Sequence, residues 1–322
     1  MTLDKIFKAF PPPKFLDTPF AGLAISDSAI RSIQFERKND TLFIKKYGEK
    51  VIPFGIITSG QINNKEELTK LLQIFKKEFN LNYVKVSLPE EKAYLFTTKI
   101  PVVKKDEVRS AIESKIEENV PVPPGELIFD YRLIDHNTKD HLDVVVSAIP
   151  ISIVDMYVEI LDGADLSPLS LEIESQAIAS ALLSPKISST ILIVHFGTEK
   201  LGLYVVTDGV VHFTSAILTK GDSLNNPDFL SQEIKKLYVY WHSLKENLDN
   251  PERKISEIVV CGKNFSDSVI PYLSVHNQTK VSLGNVWTNA FDVNVTVPEI
   301  THTDSLKYAT AVGLALPSEI LI

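Results

Sequence analysis

Glycine is scarce in this chain, 13 of 322 residues, about half the usual ~7%. A function that needs several glycine-rich phosphate loops therefore starts at a disadvantage. Cysteine is rarer still: the single Cys261 rules out an internal disulfide framework and suits a reducing compartment. No apolar run approaches the ~18 residues of a membrane span, and the charged start, MTLDKIFKAFPPP, is too short for a signal peptide. A cytoplasmic protein is the expectation. Long Lys/Arg stripes are missing too, and with a net charge of −8 nucleic acid is not an expected partner. Neither a GxxxxGK[ST] loop nor a GxSxG elbow occurs, so P-loop and hydrolase chemistry lack a starting residue.

What is present is a repeated pattern. The segments Phe20–Ile25, Ala29–Glu36 and Thr41–Ile52 alternate as strands, the last two joined by an Asn39–Asp40 turn, and Lys65–Phe79 follows with helical spacing of Leu68, Leu71, Leu72, Phe75 and Phe79. The second half repeats this with Thr190–Phe196, Leu201–Val206 and Val210–Leu218, an Asp208–Gly209 turn, and a long amphipathic helix through Phe229, Leu230, Ile234, Leu237, Tyr238, Trp241 and Leu244. Laying Ala24 over His195 places Ser26 over Gly197 and Ile30 over Leu201. Two related lobes from a duplication are expected.

Between them lies a different unit: strands at Tyr83–Leu88 and Ala93–Ile100, a helix over Asp106–Asn119 stopped by Val120–Gly125, strands at Leu127–Ile134 and Leu142–Ala148, and a helix over Ile151–Leu161. A final helix over Thr303–Leu316 has a small-residue side (Ala309, Ala311, Gly313, Ala315) suited to close packing. Ahead of the first strand, Leu3, Ile6, Phe7 and Phe10 share one helical face before Pro11–Pro13. That short helix reads either as docked on its own domain or as a weak membrane or partner contact.

Specific stretches carry a family resemblance. Val86-Ser-Leu-Pro89 with Thr97-Thr-Lys-Ile-Pro101, Glu117–Pro124 with Phe129-Asp-Tyr131, Ser170–Ala177, and Tyr308–Ala315 resemble, in order and spacing, the type IV pilus assembly protein PilM family. That family is part of the actin-like ATPase superfamily and related to FtsA. The resemblance implies an α/β, actin-like (ribonuclease H-like) two-lobe fold with an α+β subdomain inserted in the first lobe. The implied division is 1–82 for the first lobe with its short N-terminal helix, 83–165 for the insertion, 166–187 for an interlobe helix, 188–300 for the second lobe, and 301–322 for a C-terminal helix returning to the first lobe.

Actin-like ATPases hold Mg²⁺-ATP between the lobes, and the resemblance maps the nucleotide-contacting positions onto Gly22, Ser26, Asp27, Ser28, Gly197, Thr198, Gly262 and Lys263. Backbone N–H groups must reach phosphate oxygens without a Cβ in the way, and Mg²⁺ prefers carboxylate oxygens. The family's two metal-ordering Asp positions hold Ala24 and His195 here, and its second glycine is Ser26. Asp27 is displaced to the turn. Glu174 falls on the superfamily's connecting acid and would be the catalytic candidate if hydrolysis survived; a capping or spacing role explains it better. The site reads as degenerate, with ATP and Mg²⁺ the cofactors implied only if it is active.

The expected function is a non-enzymatic scaffold of a type IV pilus or type II secretion-like inner-membrane complex, at the membrane's cytoplasmic face. The resemblance implies capture of a PilN-like N-terminal peptide in a groove between the first lobe and the insertion, near Tyr83–Leu88, Ala93–Ile100 and Asp106–Asn119, with other pilus assembly proteins and oligomers as further partners. The alternative is an active ATPase using Asp27 and Glu174 to switch lobe closure. A filament of the FtsA type is a third reading, and no amphipathic helix follows Leu316 to support it. Of the seven histidines only His136 and His141, flanking an acidic turn, have metal-like spacing, and a solvated turn explains them better.

Overall fold

The computed structural model describes residues 18–38, 41–134, 140–219, 224, 226–248, 250–266, 268–277 and 279–317. The Leu3–Phe10 pattern, the Asn39–Asp40 turn and His136 lie outside them.

The first lobe is built on a five-stranded sheet of β1 (Phe20–Ile25), β2 (Ala29–Lys38), β3 (Thr41–Val51), β6 (Tyr83–Leu88) and β10 (Ser167–Ile173), in the order β10-β6-β1-β2-β3. The second lobe has β11 (Thr190–Phe196), β12 (Lys200–Thr207), β13 (Val210–Leu218), β14 (Ile255–Gly262) and β15 (Lys280–Leu283), ordered β13-β12-β11-β14-β15. The two sheets share one plan: an antiparallel meander, then two parallel strands on the far side of its first strand. The duplication read from the alternation pattern is therefore present in the topology. The β12–β13 turn is tight because Asp208 and Gly209 both take positive φ, 53° and 70°, the geometry a two-residue hairpin needs.

Local chemistry explains the helices. In α1 (Lys65–Phe79) the Asn64 side chain accepts from the Glu67 N–H at 3.1 Å, acids occupy the first turn and lysines the last, and Asn80 closes the helix in the left-handed region. Leu68, Leu72 and Phe75 go into the first-lobe core. A short hairpin of β4 (Ile57–Thr58) and β5 (Gln61–Ile62) precedes α1.

The insertion is smaller than its sequence suggests. Its three-stranded sheet, β7 (Tyr94–Pro101), β9 (His141–Pro150) and β8 (Leu127–Ile134), packs on α2 (Val108–Asn119) through Ile100, Val108, Ile112, Ile116, Val144 and Val146. Two elements read with it belong to the first lobe instead. Strand β6 runs parallel to β1, and α3 (Ile151–Gly163) buries Tyr157, Ile160 and Leu161 in that lobe's core. The segment read as an interlobe helix over 166–187 is likewise divided into the parallel edge strand β10 and a shorter helix, α4 (Glu174–Leu182).

The second-lobe core takes Leu230, Ile234, Leu237 and Trp241 from α5 (Pro227–Ser243), with Val269 and Leu273 from α6 (Val269–Asn277). The last helical segment is broken into α7 (His302–Ser305), a 3₁₀ turn at Leu306–Tyr308, and α8 (Ala309–Ala315). Its small residues work as expected. A Cβ on Gly313 would lie 1.8 Å from the Ala177 carbonyl oxygen, and one on Gly22 would lie 2.0 Å from that of Ala311. Thus α8 is wedged between α4 and β1, in a core that joins Ala24 and Ile33 of one sheet to Ile191 and Ile193 of the other.

Candidate functional site: the interlobe cavity

The β1–β2 and β11–β12 hairpins turn toward each other across a cavity of about 220 Å³. Ser26, Asp27, Ser28, Gly197, Thr198, Gly262, Lys263 and Glu174 all line it. Gly22 does not line the cavity; its missing Cβ makes room for α8 rather than for a phosphate. Gly262 is required by its backbone, with φ at 100° and the Phe196 carbonyl oxygen 2.1 Å from where a Cβ would stand.

At the first hairpin, Ser26 stands where glycine was expected and builds the turn itself, its Oγ donating to the Ala29 carbonyl and accepting from the Ala29 N–H. Asp27 is committed elsewhere: its two oxygens accept the N–H groups of Ser59 at 2.6 Å and Gly60 at 3.0 Å, both in the left-handed region. The hairpin tips meet directly, with Ser28 Oγ 2.6 Å from Thr198 Oγ1.

Below the tips lies an ammonium that sequence reasoning missed. Lys200 Nζ is 2.6 Å from Glu174 Oε2 and 3.0 Å from Glu91 Oε1. Burial works against the Lys200 charge, but Glu174 and Glu91 outweigh it, so its pKa is raised and the ion stays protonated. Burial also opposes ionisation of Glu174, and Lys200, His195 and Arg31 together overcome this and lower its pKa. His195 lies beside them with no hydrogen-bond partner at Nδ1. Burial, assisted by Lys200 and Arg31 and opposed by Glu174, lowers its pKa to about 4, so the imidazole is neutral near pH 7.

A second group of charges follows from strand register. Ala24, Arg31 and Glu49 are directly opposite one another across β1, β2 and β3. Arg31 donates to Glu49 Oε1 from Nε at 3.0 Å and from Nη2 at 2.7 Å, and Lys307 reaches Glu49 Oε2 at 2.6 Å. Arg31, at 7% exposure, is a buried cation in a strand otherwise read only for its apolar alternation. That break in the alternation was the signal available in the sequence. For Lys200 there was none, because its partners stand 109 and 26 positions away (200 − 91 and 200 − 174).

These donors do not fit Mg²⁺. The cation wants several hard oxygen ligands, whereas Ala24 and His195 supply none, Asp27 is spent on backbone N–H groups, and Glu91 and Glu174 already hold an ammonium. Among the described residues no group of three or more His, Cys, Asp or Glu side chains could hold a metal ion; His141 sits 3.6 Å from Asp143. Cys261, fully buried beside the cavity wall, is a packed small side chain.

A second concavity, of about 400 Å³, lies between the insertion and the first lobe. It is lined by Ile128 and Phe129 of β8, by Ser147 and Ile149 of β9, and by β10 from Pro168 to Ile173. Leu88 of β6 reaches it, but strand β7 and helix α2, expected to line such a groove, do not. Strand β7 is on the opposite edge of the insertion's sheet and α2 covers that sheet's face. Ile128 and Leu169 are 45% and 47% exposed, and β8 and β10 are each the last strand of their sheet.

Among the described residues no helix is long and apolar enough to cross a membrane. The chain resembles, in three dimensions, a solved "PilM-PilN type IV pilus biogenesis complex" chain at 16% identity, covering 95% of this chain and 99% of that one with a TM-score of 0.76. The ethanolamine utilization protein EutJ from Carboxydothermus hydrogenoformans is 12% identical, with coverage of 95% and 90% and a TM-score of 0.50. These likenesses fix the fold as actin-like. No curated protein sequence matches the chain. The profile of the type IV pilus assembly protein PilM matches residues 22–240, more than half of the sequence, and the chain belongs to that family.

Proposed function

We propose that this protein is a non-enzymatic scaffold of a type IV pilus assembly complex at the cytoplasmic face of an inner membrane. It captures the N-terminal tail of a PilN-like membrane protein in the groove between β8 and β10. The observation that carries the reading is the groove itself, with two strand edges that are unpartnered among the described residues flanking an apolar floor. An extended segment adds main-chain hydrogen bonds to such an edge while alternate side chains enter the pocket. Asp130 and Glu172 at the groove favour a tail carrying basic residues among its apolar ones. The nucleotide site is degenerate, because Ala24 and His195 stand at the metal-ordering positions and Glu91 and Glu174 are taken up by the Lys200 ammonium.

Fluorescence anisotropy tests the reading with a labelled peptide from the N-terminus of a PilN-like membrane protein. Binding at micromolar concentration, lost in Leu169→Glu, is expected. No binding at tens of micromolar, or binding indifferent to Leu169→Glu and to Ile128→Glu, overturns it.

A further inference from the structure

The β8–β10 groove has a candidate occupant within the chain itself. Its floor is apolar, and among the described residues the two charged side chains that line it, Asp130 and Glu172, are both acidic. Burial raises the pKa of Glu172, and Lys85, the Ser170 hydroxyl and Arg132 offset this only in part. The carboxylate therefore gains from a further cation. Lys85 is shared with other partners: its Nζ donates to the Leu316 carbonyl at 3.3 Å and stands 4.6 Å from the centre of the Phe20 ring. A segment that suits this groove combines an apolar face with lysine or arginine.

Residues 1–17, ahead of the first described residue, answer that description. Leu3, Ile6, Phe7 and Phe10 are spaced i, i+3, i+4 and i+7, the spacing with which an amphipathic helix seats in an apolar groove. Lys5, Lys8 and Lys14 outnumber Asp4 and Asp17, so the segment is net positive in a chain of net charge −8. Strand register sets where it leaves the sheet. Phe20 is level with Tyr83 of β6, and Tyr83 with Ser167 of β10. The chain before Phe20 thus departs at the end where β10 begins, two strand spacings or about 10 Å away. The groove follows β10 from Pro168 to Ile173, about 20 Å. Residues 11–17 span up to about 23 Å when extended, and Pro11–Pro13 favour that extension. A helix over residues 3–10 adds about 12 Å, so linker and helix together reach along the floor. We propose that residues 3–10, tethered by residues 11–17, dock in the β8–β10 groove, with the apolar face on Ile128 and Leu169 and the lysines toward Asp130 and Glu172, and that an external tail enters by displacing them. The competition rests on the tail-capture reading; the docking does not. A short tether holds its segment at an effective concentration of about 1 mM, so docking with an intrinsic Kd near ~0.1 mM weakens a competitor about tenfold.

Amide hydrogen exchange on the full chain tests the docking, comparing wild type with Ile6→Asp/Phe10→Asp. Amides of residues 127–130 and 167–173 should exchange about tenfold faster in the variant, with β11 and β12 unchanged. Lys5→Glu/Lys8→Glu is the second variant and should release the same amides through charge alone; circular dichroism checks that both fold. The labelled PilN-like peptide should bind each variant about tenfold more tightly than wild type. Faster exchange with no peptide binding to any of the three proteins keeps the docking and overturns tail capture. Faster exchange with peptide affinity unaltered overturns the competition. Exchange within about twofold of wild type at both edges in both variants overturns the docking, whether or not the peptide binds. So does protection that appears only as protein concentration rises, which assigns the segment to a second copy. Wild-type binding to phosphatidylglycerol vesicles that the variants lose, with β8 and β10 exchange unchanged, assigns the segment to a membrane and overturns the docking too.

Discussion

The two concavities of this molecule are opposites in how they treat polar groups. In the interlobe cavity the carboxylates of Asp27, Glu91 and Glu174 have partners inside the chain, and the hairpin tips bond to each other. In the β8–β10 groove the outer edges of two strands have no partner strand among the described residues, and Ile128 and Leu169 are exposed. The first is closed by its own contacts; the second is open to a partner. Buried charges hold this difference in place, and removing them gives the largest effects.

Lys200→Met is the strongest test. It strands two mostly buried carboxylates, and breaking a buried ion pair from one side costs about 3–5 kcal/mol. Urea unfolding should show that loss, and Lys200→Met/Glu174→Gln should recover much of it because one of the stranded charges is gone. A loss below about 1 kcal/mol in the single variant would remove the closed half of the comparison.

Acid gives the next effect. The folded pKa of His195, about 4, lies below the ordinary 6.5, so below pH 6.5 the unfolded chain binds a proton that the native one refuses. The associated stability is complete above pH 6.5 and is lost as pH falls through 4. Relative to His195→Gln, the wild type should lose on the order of 2 kcal/mol between pH 7 and pH 4. Glu174, whose folded pKa is lowered, adds a further loss as pH falls below the ordinary carboxylate value. Parallel pH profiles would mean that the imidazole is not held neutral in the cleft.

The two concavities should also separate by binding. Leu169→Glu places a charge on the groove's apolar lip and should weaken tail binding about tenfold, roughly 1.4 kcal/mol, with the unfolding midpoint unchanged. Lys200→Met should do the reverse, lowering the midpoint and sparing tail binding. A variant that moved both would join what the structure separates.

Much of this was legible before any coordinates. Phe20–Ile25, Lys65–Phe79 and Val210–Leu218 have the bounds their hydrophobic periods imply, because alternation and helical spacing are local signals. Membership of a sheet is not local. Strand β6 and helix α3 were read with the insertion they adjoin in sequence, but parallel pairing to β1 and packing against α1 place them in the first lobe. The cavity was half legible for the same reason. The hairpin residues were found by motif, whereas Lys200, Glu91, Arg31 and Lys307 meet only through tertiary structure. Gly22 shows the limit of a motif: it gave the position, but the neighbour that needs the space is the α8 backbone.

The smallest expected effect asks whether the hairpin tips contribute to closure at all. The Ser28–Thr198 hydrogen bond is solvent-exposed, so water replaces it readily and its net worth is about 0.5–1 kcal/mol. Ser28→Ala should therefore barely move the unfolding midpoint. Its mark should instead be local: faster amide hydrogen exchange at residues 26–29 and 197–200, with the β8 and β10 edges unaffected. A double-mutant cycle with Thr198→Ala isolates the pair. Coupling near zero would assign closure to Lys200 alone, whereas coupling of the expected size would mean that the cleft is held at two depths, by an ion pair inside and a hydroxyl pair at the mouth.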